Sequence, residues 1–231
     1  MKRKIITIDG PAGAGKTTIS RLLAKHLGYV YVDTGALYRA VALAAVSANC
    51  AEDEDSLADL FKKTRLEFRN GQHEPRLFMN VQDVSDRIRT PEITMLASRL
   101  SAKPVVRKYL LDIQRDMGKD GGVILEGRDM GTVVFPHADV KFYLDAAHEI
   151  RASRRYKELS DKGTEITQAE VAADMKKRDE NDSTRSLSPL KPAGDAIRID
   201  SSKMGIKSVL ETMMRHIFCP KRPVSPARAG L

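Results

Sequence analysis

The feature that most constrains the fold of this 231-residue chain is a glycine-rich segment near its beginning. Residues 10–17 read Gly-Pro-Ala-Gly-Ala-Gly-Lys-Thr and fit the pattern G-x-x-x-x-G-K-[ST]. An apolar, β-branched run at 4–8 precedes the segment, and apolar residues at helical spacing follow it as far as Gly28, a favourable C-cap. This order of strand, turn and helix predicts a phosphate-binding loop, because glycines let backbone N–H groups surround a phosphate at a helix N-terminus.

The polar residues that close this loop have predicted tasks in binding a nucleotide. Lys16 is expected to reach the β and γ phosphates of ATP, and the Thr17 hydroxyl is expected to hold Mg²⁺. The alternative is a glycine-rich turn without a ligand, which the flanking strand and helix disfavour. The predicted ATP-binding residues are Gly10, Pro11, Ala12, Gly13, Ala14, Gly15, Lys16, Thr17 and Thr18.

The rest of the chain alternates between strand-like and helix-like segments. Short apolar runs predict strands at 4–8, 29–32, 122–125, 140–144 and 196–199. Apolar periodicity and capping residues predict further helices at 36–48, 91–117, 147–160, 168–180 and 205–217, the second of them broken or kinked at Pro104. The alternation predicts an α/β fold with three layers, in which helices cover both faces of a five-stranded parallel sheet.

Two segments depart from this alternation. Residues 63–89 show period-two alternation around Asn70-Gly71, which predicts a small antiparallel β insertion. Residues 219–231 contain three prolines and no apolar periodicity, which predicts a basic, disordered tail. Residues 1–218 are therefore expected to form a single domain.

The composition excludes several classes of protein. A hydrophobic fraction of 42% supplies a real core and excludes global disorder. The longest apolar run, residues 40–46, is too short for a membrane helix, and the basic start lacks the apolar stretch of a secretory signal. The two distant cysteines are most simply reduced. We therefore expect a cytoplasmic protein that does not bind membranes.

The net charge of +8 is distributed unevenly. Residues 2–4 carry three of the positive charges and residues 215–228 carry four, so residues 5–211 are nearly neutral. This distribution argues against a nucleic-acid partner, although a nucleic-acid-binding nucleotide switch stays the alternative from another functional class. The D-x-x-G and N-K-x-D patterns of GTPase switches are absent from the sequence.

Arginines follow the second and third predicted strands, where parallel sheets bind ligands. Arg39 ends the segment at 33–39 and is expected to clamp a second anion opposite the loop. In Glu126-Gly-Arg-Asp129, Arg128 is suited to phosphate, Asp129 accepts hydrogen bonds, and Glu126 is placed to orient Mg²⁺ through water. The alternatives are a solvated helix start and an ordinary turn with a surface ion pair.

Two further arginine clusters lie between the fourth and fifth predicted strands. The first contains Arg151, Arg154 and Arg155, and the second runs from Arg178 to Arg185. A solvated helical hairpin is the alternative, because residues 151–185 mix both signs of charge. In a protein with a phosphate-binding loop, however, this position suits a mobile lid over about 151–185 that brings arginines to the transferring phosphates and excludes water.

At these residues the sequence resembles the bacterial-type cytidylate kinases. The segments that carry the resemblance are Ile-Asp-Gly-Pro-Ala-Gly-Ala-Gly-Lys-Thr-Thr, Asp-Thr-Gly-Ala-Leu-Tyr-Arg, Gly-Arg-Asp-Met-Gly-Thr-Val-Val-Phe-Pro and Arg-Asp-x-x-Asp-x-x-Arg, and the match covers the chain from Ile5 to about Ile217. The resemblance implies transfer of the γ-phosphoryl group of ATP to CMP or dCMP. It also implies a core, a lid and an enlarged insertion at the monophosphate site, which the segment at 63–89 matches.

The resemblance also assigns roles to individual residues. It implies an acceptor segment of Thr34, Tyr38 and Arg39, a cytosine-reading set of Ser98, Arg107 and Asp129, sugar contacts from Arg178 and Asp182, and acceptor-phosphate contacts from Arg128 and Arg185. Catalytic roles are expected for Lys16, Arg128, Arg151, Arg178 and Arg185. Glu126 stands where some members of the family have Asp, and the tail has no counterpart. We expect a monomer with nucleotide partners, and a related small-molecule kinase is the rival enzyme.

Overall fold

The computed structural model describes residues 3–69, 75–161 and 163–218. Its strands are β1 (Ile5–Asp9), β2 (Val30–Asp33), β3 (Leu66–Arg69), β4 (Arg76–Met79), β5 (Gln82–Asp83), β6 (Val123–Gly127), β7 (Val140–Asp145) and β8 (Ile197–Asp200). Its helices are α1 (Lys16–Leu27), α2 (Thr34–Ser47), α3 (Glu54–Lys62), α4 (Pro91–Leu100), α5 (Pro104–Gly118), α6 (His148–Ser160), α7 (Gln168–Thr184) and α8 (Ile206–Phe218).

Five parallel strands form the central sheet in the order β2-β6-β1-β7-β8. The middle strand β1 pairs with β6 on one side and with β7 on the other, and Ile6 lies opposite both Ile124 and Val140. Such a central strand is covered on both faces, which is why its Ile6 and Ile8 are apolar and fully buried. The predicted parallel sheet is therefore confirmed, with every strand starting one residue later than expected or at the expected residue.

Helices cover both faces of this sheet and make the three predicted layers. On one face, α1 and α8 bury Leu23 and Met213 against β1 and β7. On the other face, β2 and β6 pack against the segment after β6, where Met130–Val134 forms a π-helical turn that the sequence did not predict. Beyond it, α2, α3, α4 and α5 share the largest apolar cluster with the small sheet.

Several helix boundaries follow local sequence signals. The segment at 91–117 is two helices, because Pro104 cannot continue the first one and instead occupies the first turn of α5. Thr167 and Glu170 form the predicted capping box at the start of α7. Helix α7 continues to Thr184, four residues beyond the predicted end, and α3 was not predicted at all.

The predicted antiparallel insertion is present as the three-stranded sheet β3-β4-β5. Leu66 pairs with Met79 and Phe68 with Leu77, so the apolar side chains at alternate positions face α2 and α5. The Asn70-Gly71 turn, like the predicted tail at 219–231, lies outside the described residues. Among the helices that the structure describes, none has the length and apolar character needed to cross a bilayer.

Candidate active site

The glycine-rich loop joins β1 to α1 as the sequence predicts. Gly15 caps α1 with a φ of 90°, a left-handed conformation that glycine adopts at little cost. Gly13 has a φ of 72°, and a Cβ there would lie 2.8 Å from the Arg151 carbonyl oxygen. The loop is therefore closely packed against α6 and depends on glycine at both positions.

Lys16 is the first residue of α1, and its ammonium group lies inside the loop. Its Nζ donates to the carbonyl oxygens of Gly10 and Pro11, both at 2.7 Å. Burial, followed by the nearby Arg128 guanidinium, lowers the pKa of Lys16 to about 7. The protein alone therefore compensates the positive charge of Lys16 poorly. Anionic phosphates bound in the loop would favour the protonated form of the Lys16 amine.

Thr17 and Glu126 place oxygen ligands beside the loop. The Thr17 hydroxyl donates to Glu126 Oε1 at 2.7 Å, while Glu126 Oε2 is buried and has no hydrogen-bond partner among the described residues. Burial, with a smaller contribution from Asp33, raises the pKa of Glu126. A buried carboxylate oxygen beside a hydroxyl fits a hard cation such as Mg²⁺, which binds through one or two carboxylates plus phosphates and water. Among the described residues, no group of three or more His, Cys, Asp or Glu side chains is arranged to hold a metal by itself.

A second cleft lies next to the loop, at the ends of β2 and β6 and below α4 and α7. Its volume is about 490 Å³, part of which is open to solvent. The lining contains nine of the ten residues predicted to bind the acceptor, namely Thr34, Tyr38, Arg39, Ser98, Arg128, Asp129, Arg178, Asp182 and Arg185. The tenth, Arg107, is not part of the lining but contacts Asp129, which is.

Asp129 is the most buried charge of this cleft, with 2% of the residue exposed. Arg107 donates to its Oδ2, and Arg185 Nη2 lies 4.0 Å from Oδ1. The Arg107 guanidinium also lies 5.9 Å from the centre of the Tyr38 ring. Burial, then the Asp129 carboxylate, raises the pKa of Tyr38 to about 12, so its hydroxyl stays a donor at neutral pH.

The cleft presents unused hydrogen-bond donors. Arg39 Nε, Arg178 Nε and Arg185 Nη2 are buried, and none of them has a hydrogen-bond partner among the described residues. Burial, then repulsion from Arg128, lowers the pKa of Arg178 to about 9. A buried guanidinium donor without a partner lowers the stability of the protein unless an anion accepts its hydrogen bond. The cleft is therefore suited to bind an anion.

Arg128 connects the cleft to the loop. It donates to the Gly10 carbonyl oxygen at 2.8 Å and to Asp182 Oδ2 at 2.7 Å. Asp182 is also within reach of Ser98, whose Oγ lies 3.4 Å from Oδ1. A ligand in the cleft and a phosphate in the loop would therefore share the same arginine.

The first arginine cluster of the predicted lid, at 151–155, has three different environments. Arg151 is buried and donates to the Ala12 carbonyl oxygen at 3.0 Å and to Asp179 at 2.6 Å, which ties α6 to the loop and to α7. Arg154 donates to the Ser201 carbonyl oxygen beyond β8, and Arg155 pairs with Glu158 on its own helix. Of the predicted loop residues, Thr18 faces outward and is exposed.

Three partners of the site were not predicted from the sequence. Asp33 accepts from Arg39 at 2.9 Å, and Tyr31 donates to Glu126 Oε1 at 2.7 Å. Asp9 accepts from the backbone N–H groups of Met130 and Gly131, at 2.9 and 2.7 Å. The sequence signal for Asp9 was its position as an acid at the end of the strand before the loop. This signal does not identify its partners, because they lie more than 120 residues away in the sequence.

Comparison with known proteins gives a consistent result. A family model described as "Cytidylate kinase" matches residues 6–218. A cytidylate kinase of Geobacter sulfurreducens is 52% identical over 210 residues, which cover 90% of this chain and 90% of that protein. A cytidylate kinase of Syntrophotalea carbinolica is 47% identical over 230 residues, covering 99% of this chain and 98% of that protein. A third, from Carboxydothermus hydrogenoformans, is 45% identical over 213 residues, with 92% and 96% covered.

Proposed function

The chain belongs to the cytidylate kinase family, and we propose that its loop and cleft transfer the γ-phosphoryl group of ATP to CMP or dCMP. The products are ADP and CDP or dCDP. The match of the family model over nearly the whole chain and the high identity to cytidylate kinases support this activity. The single observation that carries it in the structure is the cleft beside the phosphate-binding loop, where Arg39, Arg178 and Arg185 each keep a buried N–H donor without a hydrogen-bond partner among the described residues.

The arginines supply the charge that the reaction needs. ATP carries roughly four negative charges, and a monophosphate acceptor carries about two more. We propose that Arg39, Arg128 and Arg185, which line the cleft, bind the acceptor phosphate, and that Lys16 in the loop binds the donor phosphates. We propose that Arg178 and Asp182 hold the sugar, and that Arg151 holds the lid against the loop. Catalysis then consists of positioning and electrostatic stabilisation, without a covalent intermediate.

We propose that the base is read by Asp129, Arg107 and Ser98. The cytosine amine is a donor at the ring position where uracil has a carbonyl acceptor. A carboxylate accepts from the amine and repels the carbonyl, so Asp129 favours cytosine over uracil. Arg107 holds one oxygen of this carboxylate, which leaves the other for the base.

Thr17 and Glu126 are the residues that we propose to hold Mg²⁺. The ion neutralises charge on the β and γ phosphates when it is bound with ATP. We propose that the enzyme works as a monomer in the cytoplasm, without a nucleic-acid partner.

A coupled assay of ADP release tests the proposal. CMP, dCMP, UMP, AMP, dTMP and shikimate are offered separately with ATP and Mg²⁺. We expect kcat/KM to be highest for CMP and dCMP. A preference for shikimate, AMP or dTMP would support the rival assignment of another small-molecule kinase and would contradict ours.

A further inference from the structure

Tyr31 is outside the phosphate-binding loop and does not line the acceptor cleft. It stands in β2, next to β6, and its ring is buried with 9% of the residue exposed. Its hydroxyl donates to Glu126 Oε1 at 2.7 Å. The Thr17 hydroxyl donates to the same oxygen, also at 2.7 Å. Two hydroxyl groups from different elements therefore hold one carboxylate oxygen.

This arrangement leaves the two oxygens of Glu126 in different states. Oε1 accepts from both hydroxyl groups, whereas Oε2 is buried with no hydrogen-bond partner in the described part of the chain. Glutamate has one more rotatable bond than aspartate, so the Glu126 carboxylate needs more restraint than an aspartate carboxylate would need at this position. With Oε1 held on two sides, the plane of the carboxylate is fixed and Oε2 keeps its lone pairs for another ligand.

We propose that Tyr31 is a positioning residue for the metal site, holding Glu126 so that Oε2 is available to the Mg²⁺ that accompanies ATP. This inference rests on the proposed function, because it takes Glu126 and Thr17 as the residues that hold the ion. Groups that orient the ligands of a metal commonly change metal affinity by about 10- to 100-fold when they are removed.

A purely structural role for Tyr31 is the competing explanation. The ring packs in the apolar cluster of β1 and α1, and the Arg21 guanidinium lies 5.5 Å from the ring centre. If Tyr31 served the core alone, then Tyr31→Phe, which keeps the ring and removes only the hydroxyl, would leave metal binding unchanged. The two explanations therefore predict different metal affinities for Tyr31→Phe.

The test measures metal binding directly rather than turnover. Mn²⁺ is titrated into the full-length protein with a non-hydrolysable ATP analogue present, and free Mn²⁺ is followed by electron paramagnetic resonance. We expect Tyr31→Phe to raise the Mn²⁺ dissociation constant by about tenfold, while the metal-free affinity for the ATP analogue changes by less than about twofold. Tyr29→Phe is the matched control, because the Tyr29 hydroxyl accepts from the Lys4 backbone at 3.1 Å, away from the loop.

A double-mutant cycle with Glu126→Gln separates failure of this inference from failure of the metal assignment. If Tyr31 acts through Glu126, adding Tyr31→Phe to Glu126→Gln should weaken Mn²⁺ binding little further. Normal Mn²⁺ affinity in Tyr31→Phe, with weakened binding in Glu126→Gln, would overturn the role of Tyr31 and keep the metal site. Normal affinity in both variants would overturn the metal site itself.

Discussion

Replacing Asp129 with alanine should reduce the preference for CMP over UMP. Asp129 is nearly fully buried, and its carboxylate is held by Arg107 with Arg185 nearby. In the proposed complex with CMP, the carboxylate accepts a hydrogen bond from the cytosine amine, and a hydrogen bond to a charged group contributes about 1.5–3 kcal/mol. The same carboxylate repels the uracil carbonyl. Loss of both effects should narrow the CMP:UMP ratio of kcat/KM by at least about tenfold, or about 1.4 kcal/mol.

The ratio, rather than the absolute rate, carries the information. Removing Asp129 also leaves the Arg107 guanidinium without its buried partner, which lowers stability and slows both reactions. That loss is common to the two substrates and cancels in the ratio. Asp120→Ala, at an exposed position in the turn before β6, is the control and should leave the ratio unchanged. An unaltered CMP:UMP ratio in Asp129→Ala would remove Asp129 from the base-reading set.

Three further outcomes follow from the same geometry. Lys16→Ala should lower kcat by about 100-fold or more in steady-state assays, the scale of one lost electrostatic stabiliser, and near-normal turnover would exclude the loop as the catalytic site. Arg185→Ala should lower kcat when it is measured well below the Tm of the variant, whereas a loss of Tm with normal kcat would make this buried residue structural. Burial, despite the hydrogen bonds from Gly131 and Met130, raises the pKa of Asp9 from 3.8 to about 6, so protonation of Asp9 stabilises the folded state. This contribution to the free energy of unfolding is present below about pH 4 and is lost as the pH rises through 6. The pH dependence of Tm measured for Asp9→Asn should lack this contribution.

The elements of the fold were predictable where their signals are local. The strand before the glycines, the capping box at Thr167 and the proline at 104 are each recognisable from a few neighbouring residues. Signals of this kind predicted the strands of the sheet and most of the helices. Helix α3 shows the limit of this approach. Its Asp53 N-cap is a recognisable signal, but the helix is only nine residues long, and its apolar face becomes meaningful only against α5.

The residues of the candidate site were also predictable in part, whereas the contacts between them were not. Motifs after β2 and β6 predicted that Arg39, Arg128 and Asp129 lie at the cleft, because the ends of parallel strands meet at one edge of the sheet. Ser98, Arg178 and Asp182 were expected there only from the resemblance to the family. The pairings between them could not be predicted. Arg107 meets Asp129, and Tyr31 meets Glu126 across 95 residues, only after strand order and helix packing are fixed. No spacing in the sequence encodes those contacts.

The most direct test of the central claim follows the phosphoryl group itself. The protein is incubated with Mg²⁺, CMP and ATP labelled with ³²P at the γ position, and the products are separated by thin-layer chromatography. We predict that the label moves from ATP to CDP, that dCMP replaces CMP as acceptor, and that Lys16→Ala abolishes most of the transfer. Label that stays in ATP, or that appears as inorganic phosphate regardless of CMP, would contradict the assignment.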